Sequence, residues 1–423
     1  MLTRAFAKFA TMTALILLLQ TICNSASLAA EANIIGSASS NDYFIAQESI
    51  SLSGEFQGNE GALASIDSNI VLVVRRLGSI EAYDARTGQV SGLASSVPYT
   101  EFPQRSFGER GLTGVKGALF DRTSQNLLVS TVQVSNECAR PVLFVLHWSK
   151  LTETLGRATK VLSAPTCVPV KTLEADFPAI TAENRQSQPN TSQASGRIVK
   201  MGQDSYLWSI GNFGDSWRSI KTQIKAASDS NDFYGKTILI SKNWKPSIYT
   251  SGHRNIQGLV SLGAGNVLAS EHGPQGGDEL NRLTKSANYG WPSVSLGHNY
   301  SRSDGTFHAL GQAPSTQGLV FGKSMPPLFS WTPSIAPSQA IAVLDSSTLR
   351  SWRGSLLVAT LKDQSIRRLV FQGKTVVSDE RISVGFRIRD LVWLGDRILC
   401  LDDASKLVIL RMTPRVSDSG TWP

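Results

Sequence analysis

GLVSLGAGNVLASE, residues 258–271, sets a small residue before an apolar pair, then a short polar turn, then an apolar run. Two short apolar runs separated by a polar, glycine-containing turn read as the two strands of a hairpin. The pattern recurs in GALASIDSNIVLVVR (61–75), GALFDRTSQNLLVST (117–131), GRIVKMGQDSYLWSI (196–210), AIAVLDSSTLRSWRGSLLVAT (340–360) and RDLVWLGDRILCLD (389–402). Each copy is followed by another plausible strand, for example 79–84, 142–148, 366–370 and 407–411. Six copies of one hairpin predict an all-β, six-bladed β-propeller, with innermost strands around an axis and the loops of one face forming a shared mouth. A β-sandwich with a second domain is the alternative.

Composition agrees with this expectation. Helical heptads are absent, and 35 Gly and 17 Pro in 423 residues suit many strands separated by turns. The uneven spacing of the copies places long loops at 172–195 and 288–327, both expected at the mouth. The organisation expected is a signal peptide over 1–29, a lead-in over 30–54 that is either ordered or loose, the propeller over 55–415 and a tail over 416–423.

The first residues carry a basic start (Arg4, Lys8), an apolar core (Thr13 to Leu19) and a small-residue site at Ser27-Leu28-Ala29. This is the pattern of a secretory signal cleaved near Ala29, which implies a periplasmic or secreted protein. Ile22 is bulky for a lipidation site at Cys23, and an uncleaved anchor is the other alternative; no later segment is long and apolar enough to span a membrane. In an oxidising compartment Cys138 and Cys167, in adjoining loop-like stretches, are expected to pair, leaving Cys400 within a strand pattern; three buried thiols are the alternative. The 41 Lys and Arg against 33 Asp and Glu give +8, or +6 without Arg4 and Lys8. That balance points to an acidic ligand or an anionic surface. The basic residues are scattered, without aromatic interleaving, which excludes nucleic acid as a partner.

Outward from 258–271 lie the densest polar motifs. SGHRNIQGL begins at Ser251, SEHGPQGGDELN at Ser270 and ANYGWP at Ala287. So much polar and glycine punctuation reads as a binding floor rather than core. The motifs, with WTPSIAPS (331–338), SLLVATLK (355–362) and FRIRDLVWL (386–394), resemble the soluble glucose/sorbosone dehydrogenase family over roughly Ser195 to Arg411.

That resemblance implies a six-bladed propeller that holds pyrroloquinoline quinone (PQQ) and Ca2+ and oxidises sugars. Under it, Arg254 and Asn255 resemble the pair beside the quinone oxygens, where a guanidinium stabilises developing negative charge. Lys362, Arg387 and Arg389 resemble the cations that hold the PQQ carboxylates; the two arginines, two apart on a strand, would face one side. His272 lies beside the cofactor, and Ser334 could donate a hydrogen bond to it. The backbone oxygens of Gly273-Pro274 would hold calcium, a hard cation that accepts carbonyl ligands. Asp278 and Glu279 would either add ligands or orient that turn. His253 and His272 lack the spacing and the third ligand of a zinc site. Trp331 sits one residue off the family tryptophan and is either a sugar-stacking or a core residue.

One pair departs from the pattern. The family base, a histidine four residues before the strand-start arginine, falls on Gln193, and its supporting aspartate falls on Asn212. Neither amide can act as a base near neutral pH, and general base catalysis is typically worth about two to four powers of ten. The resemblance implies PQQ-dependent aldose dehydrogenation by hydride transfer from a sugar hydroxyl carbon. The alternative is a catalytically degenerate propeller that binds a sugar, a cell-wall fragment or a protein. If the motif is out of register, Asp215, Asp176 or His272 could supply a base. A lactonase-like metal hydrolase would need a convergent acidic set, which the sequence does not offer.

Overall fold

The computed structural model describes residues 33–52, 61–99, 114–135, 138–169, 193–213, 226, 229–297, 323–404 and 406–415. The expected signal segment and tail, and most of both long loops, lie outside them. The described chain forms six antiparallel sheets. The first blade is Gly61–Ser65, Ile70–Arg75, Ser79–Asp84 and Gln89–Ser96, and the second is built on Gly114–Asp121, Asn126–Ser135 and Cys138–Ser149. The third runs Ser195–Lys200, Tyr206–Ile210, Lys236–Ile240 and Pro246–Ser251, and the fourth Ile256–Ser261, Val267–Glu271, Asp278–Leu283 and Phe329–Trp331. The fifth is Pro337–Ala342, Leu356–Thr360, Ser365–Gln372 and Thr375–Ser383. In the sixth, Ile388–Leu394, Arg397–Asp402 and Leu407–Pro414 are extended by Tyr43–Ile50 and Asn33–Ser39 from the other end of the chain.

Each innermost strand contacts that of the next blade, and Ile388–Leu394 contacts Gly61–Ser65, so the ring closes. Every one of the six sequence repeats is an inner hairpin of this six-bladed β-propeller. Closure is covalently remote: Tyr43–Ile50 pairs along its whole length with Leu407–Pro414, from Ile50 opposite Leu407 to Tyr43 opposite Pro414. This joins the two ends of the chain within one blade.

The repeats read as continuous apolar runs because a blade is buried on both faces. Ile70, Leu72 and Val74 pack with Leu127, Val129 and Phe144 of the second blade, whereas Val71 and Val73 pack with Leu399, Leu407 and Ile409 of the sixth. Alternation along one strand thus divides its side chains between two cores, and each fully buried Val contributes about 1.5–3 kcal/mol. The small residue that opens several repeats answers to the crowding at the axis. A Cβ on Gly117 would lie 2.3 Å from Gly196 O, so neighbouring inner strands meet there backbone to backbone.

A buried guanidinium ties those inner strands together. Arg197 Nη1 lies 2.9 Å from Asp390 Oδ2, its Nε donates to Gln257 O at 2.7 Å and its Nη2 to Arg389 O at 3.0 Å. Asp390 Oδ2 also accepts the Leu63 N–H at 2.9 Å, so one ion pair links blades one, three, four and six. In the second blade a disulfide joins Cys138 and Cys167, while Cys400 is free and buried.

Candidate functional site

The candidate residues all fall where an innermost strand begins or the second strand of a blade ends. Both positions lie on one face of the ring, because the two strands are antiparallel. The third blade contributes 193–195 and 211–213, the fourth 253–256 and 271–273, the fifth 334–337 and 361–363, and the sixth 386–389 and 403. Hydrogen bonds connect these segments in turn around the mouth.

At one end, Gln193 O accepts the Phe213 N–H at 3.2 Å, and the Asn212 N–H donates to Arg254 O at 2.9 Å. Ser195 Oγ donates to Asn255 Oδ1 at 3.2 Å. The structure therefore brings Gln193, Asn212, Arg254 and Asn255 together. Arg254 is buried; its Nη1 donates to Gly273 O at 2.9 Å, and its guanidinium lies 5.5 Å from the centre of the Trp291 ring. Trp291 lies in the ANYGWP segment, whose sequence alone assigns it no role. Its Nε1–H is buried without a partner among the described residues.

A buried carboxylate sets the Arg-Asn turn. Glu271 Oε1 accepts the N–H groups of Arg254 and of Asn255, the latter at 3.3 Å, and Oε2 lies 2.9 Å from His253 Nδ1. His253 Nε2 is 2.8 Å from Thr250 Oγ1, and its ring stacks on Tyr289. His253 is thus a structural member of the fourth blade, and no group of three or more potential metal-ligating side chains occurs among the described residues.

His272 donates its N–H to Asn255 O at 3.0 Å, and its Nε2 is 2.6 Å from Pro337 O. A carbonyl only accepts, so Nε2 carries the proton. Burial holds the His272 pKa below its ordinary value; Asp278 and the Pro337 carbonyl oppose this, and the Arg254 and Arg389 guanidiniums add to it.

The Gly273–Gly277 turn is tight. Gly276 and Gly277 have φ of 80° and 65°, which residues with a Cβ rarely adopt, and a Cβ on Gly273 would fall 2.2 Å from Gly276 O and 2.5 Å from Gly277 O. Asp278 clamps it: Oδ1 accepts the Gly273 N–H at 3.0 Å, and Oδ2 accepts Ser334 O–H at 2.7 Å, Ile335 N–H at 2.8 Å and Ala336 N–H at 2.9 Å. Asp278 therefore orients the turn and joins it to the fifth blade, and the Ser334 hydroxyl donates to it. Glu279, behind the turn, is raised to about 8 by burial and by the charge of Glu271.

From the fifth blade the chain of contacts continues. Ile335 O accepts the N–H of Lys362 at 3.1 Å, and the Lys362 side chain is exposed. Leu361 O accepts Arg387 Nη1 at 3.3 Å. Arg387 Nε and Arg389 Nε both donate to Asp403, at 2.7 and 3.1 Å. Burial alone would raise the Asp403 carboxyl, yet Arg389 and Arg387 outweigh it and hold the group below its ordinary range. Trp331, in contrast, is buried in the fourth–fifth core, with its Nε1 donating to Asp379 at 3.0 Å, which settles it as a core residue. Asp176 and Asp215 lie outside the described residues.

A six-bladed ring whose mouth gathers a lysine, several arginines and a glycine-rich carbonyl turn defines a class of axial-site propellers suited to an anionic ligand. Within that class the family is clear: the family model described as Glucose / Sorbosone dehydrogenase matches residues 62–411, and the chain belongs to this family. An aldose sugar dehydrogenase of Escherichia coli is 34% identical over 175 residues, 40% of this chain and 45% of the relative. The chain spans about half the length of the curated relatives it matches, 57% and 45%. Two solved structures share the fold. The soluble aldose sugar dehydrogenase of E. coli in its apo form has a TM-score of 0.63 at 20% identity, covering 85% of this chain and 97% of that one. The PQQ-bound aldose sugar dehydrogenase of Streptomyces coelicolor has a TM-score of 0.60 at 17% identity, covering 92% and 100%.

Proposed function

We propose that the mouth binds PQQ and that the protein is a quinone-dependent aldose dehydrogenase of the periplasm or the cell exterior. The observation that carries this reading is the placement of Arg254, Lys362, Arg387 and Arg389 at strand ends of blades four, five and six on one face of the ring. Asp403 offsets only part of the positive charge that blades four, five and six bring to this face, and PQQ carries three carboxylates. The donor set fits it: Lys362, Arg387 and Arg389 would hold carboxylates, and Arg254 with Asn255 would lie beside the quinone oxygens. When bound, the quinone supplies the two-electron acceptor for the carbon-bound hydrogen of a sugar.

The Gly273-Pro274 carbonyls would hold Ca2+. The crowding of Gly273, Gly276 and Gly277 offers hard oxygen donors, and the clamp by Asp278 fixes them. Arg254 uses one lone pair of Gly273 O and leaves the other. The Cys138–Cys167 disulfide supports an oxidising compartment.

A second reading is favoured by one specific observation. Gln193 and Asn212, the positions of the family base and its partner, lie beside Arg254 and carry neutral amides. Such a site can bind sugar hydroxyls without abstracting a proton, which describes a catalytically degenerate binder. Titration of the calcium-loaded protein with PQQ, followed by a panel of aldoses, separates the readings. Binding followed by loss of the quinone absorbance supports the dehydrogenase. Binding without reduction by any sugar supports the degenerate propeller, and absence of binding refutes both cofactor readings.

A further inference from the structure

Arg387 and Arg389 flank the start of the sixth blade and converge on one carboxylate. Asp403 Oδ2 accepts Arg387 Nε, and Oδ1 accepts both Nε and Nη2 of Arg389. The Asp403 N–H donates to Arg387 O at 2.9 Å, so main chain and side chain of Asp403 grip the same strand. Arg389 and Asp403 are mostly buried, at 19% and 14% side-chain exposure, while Arg387 is open at 45%.

A guanidinium carries five N–H groups in a rigid plane. Arg387 uses one on Asp403 and one on Leu361 O, and Arg389 uses two on Asp403. Three remain on each, and they lie on the Nη nitrogens, because the carboxylate takes both Nε positions. The anion therefore orients two forks and leaves their outer edges for a ligand. It also reduces the local charge from two positive to one, which weakens attraction for any anion that relies on charge alone.

We propose that Asp403 is the specificity-determining residue of this anion site: it fixes the Arg387 and Arg389 planes and halves their charge, so that a planar polycarboxylate is preferred over a compact inorganic anion. This rests on the PQQ reading of the mouth. A staple that merely holds the 403 loop would weaken all anions alike on removal, and simple charge neutralisation would strengthen all alike.

The test compares dissociation constants for PQQ and for sulfate in the full-length wild type, Asp403→Asn and Asp403→Glu. In Asp403→Asn the preference for PQQ over sulfate should fall about tenfold or more, with sulfate tighter and PQQ weaker. In Asp403→Glu, which keeps the charge but displaces the carboxylate, sulfate affinity should hold while PQQ affinity falls. A parallel shift of both ligands in either variant, or no shift, overturns the inference. Failure of the wild type to bind PQQ overturns the cofactor reading, and this inference with it, before any variant is compared. Should Asp403→Asn not fold, Asp403→Glu alone decides the orientation argument.

Discussion

Asp278→Asn tests the architecture of the mouth at its most constrained point. The Asp278 side chain is 0% exposed and accepts four hydrogen bonds, one on Oδ1 and three on Oδ2. In the amide variant the oxygen is best placed against the Ser334, Ile335 and Ala336 donors, and the new NH2 group then faces the Gly273 N–H, donor against donor. Three charge-assisted bonds become neutral ones of roughly half the strength, and one buried N–H loses its acceptor at about 1–3 kcal/mol. Removing a buried charge offsets part of this, so the net loss is about 2–4 kcal/mol. Ser334→Ala, which removes a single donor, should cost about 1 kcal/mol. The double variant should lose less than the two together by at least about 0.5 kcal/mol, since the partners share one bond. Urea unfolding of the full chain, compared at constant m, measures all three. A loss below about 1 kcal/mol in Asp278→Asn, or strict additivity with Ser334→Ala, would refute the clamp.

Three further outcomes follow from the same physical reasoning. Glu279, raised from 4.5 to about 8, keeps a proton in the folded state that the unfolded chain releases. Stability is then full below about pH 4.5 and declines toward pH 8, by up to about 1.4 kcal/mol per pH unit, and Glu279→Gln should flatten that decline in denaturation midpoints measured across the window. Restoring a base with Gln193→His and Asn212→Asp should raise aldose turnover by about two to four powers of ten in a PQQ-loaded sample, and unchanged turnover would place the missing base elsewhere. Replacing Cys138 and Cys167 by Ser opens a loop of 29 residues' separation, and chain entropy alone predicts a loss of about 3.5 kcal/mol, read as a lower urea midpoint.

The inner hairpins were legible because burial on both faces writes itself as runs such as Ile70 to Val74, and because crowding at the axis demands residues such as Gly117. The closing strand Tyr43–Ile50 was not: YFIAQESI is modest in pattern, and its partner lies at the far end of the chain. The cations of the mouth were legible as motifs, but the acids that orient them were not. Asp403 looks like half of a solvated Asp-Asp turn, and Arg197 looks like a landmark of its repeat rather than the axial ion pair it forms with Asp390. Sequence shows which charges exist; only the closed ring shows which of them meet.

Main-chain bonds help to place positions 193 and 212: Phe213 N–H to Gln193 O, Gly211 N–H to Ala194 O, and Asn212 N–H to Arg254 O. Any residue with an ordinary backbone can make them, so a histidine and an aspartate would ride on the same frame as the two amides. The Arg254 turn is held in addition by Glu271, which accepts the Arg254 and Asn255 N–H groups.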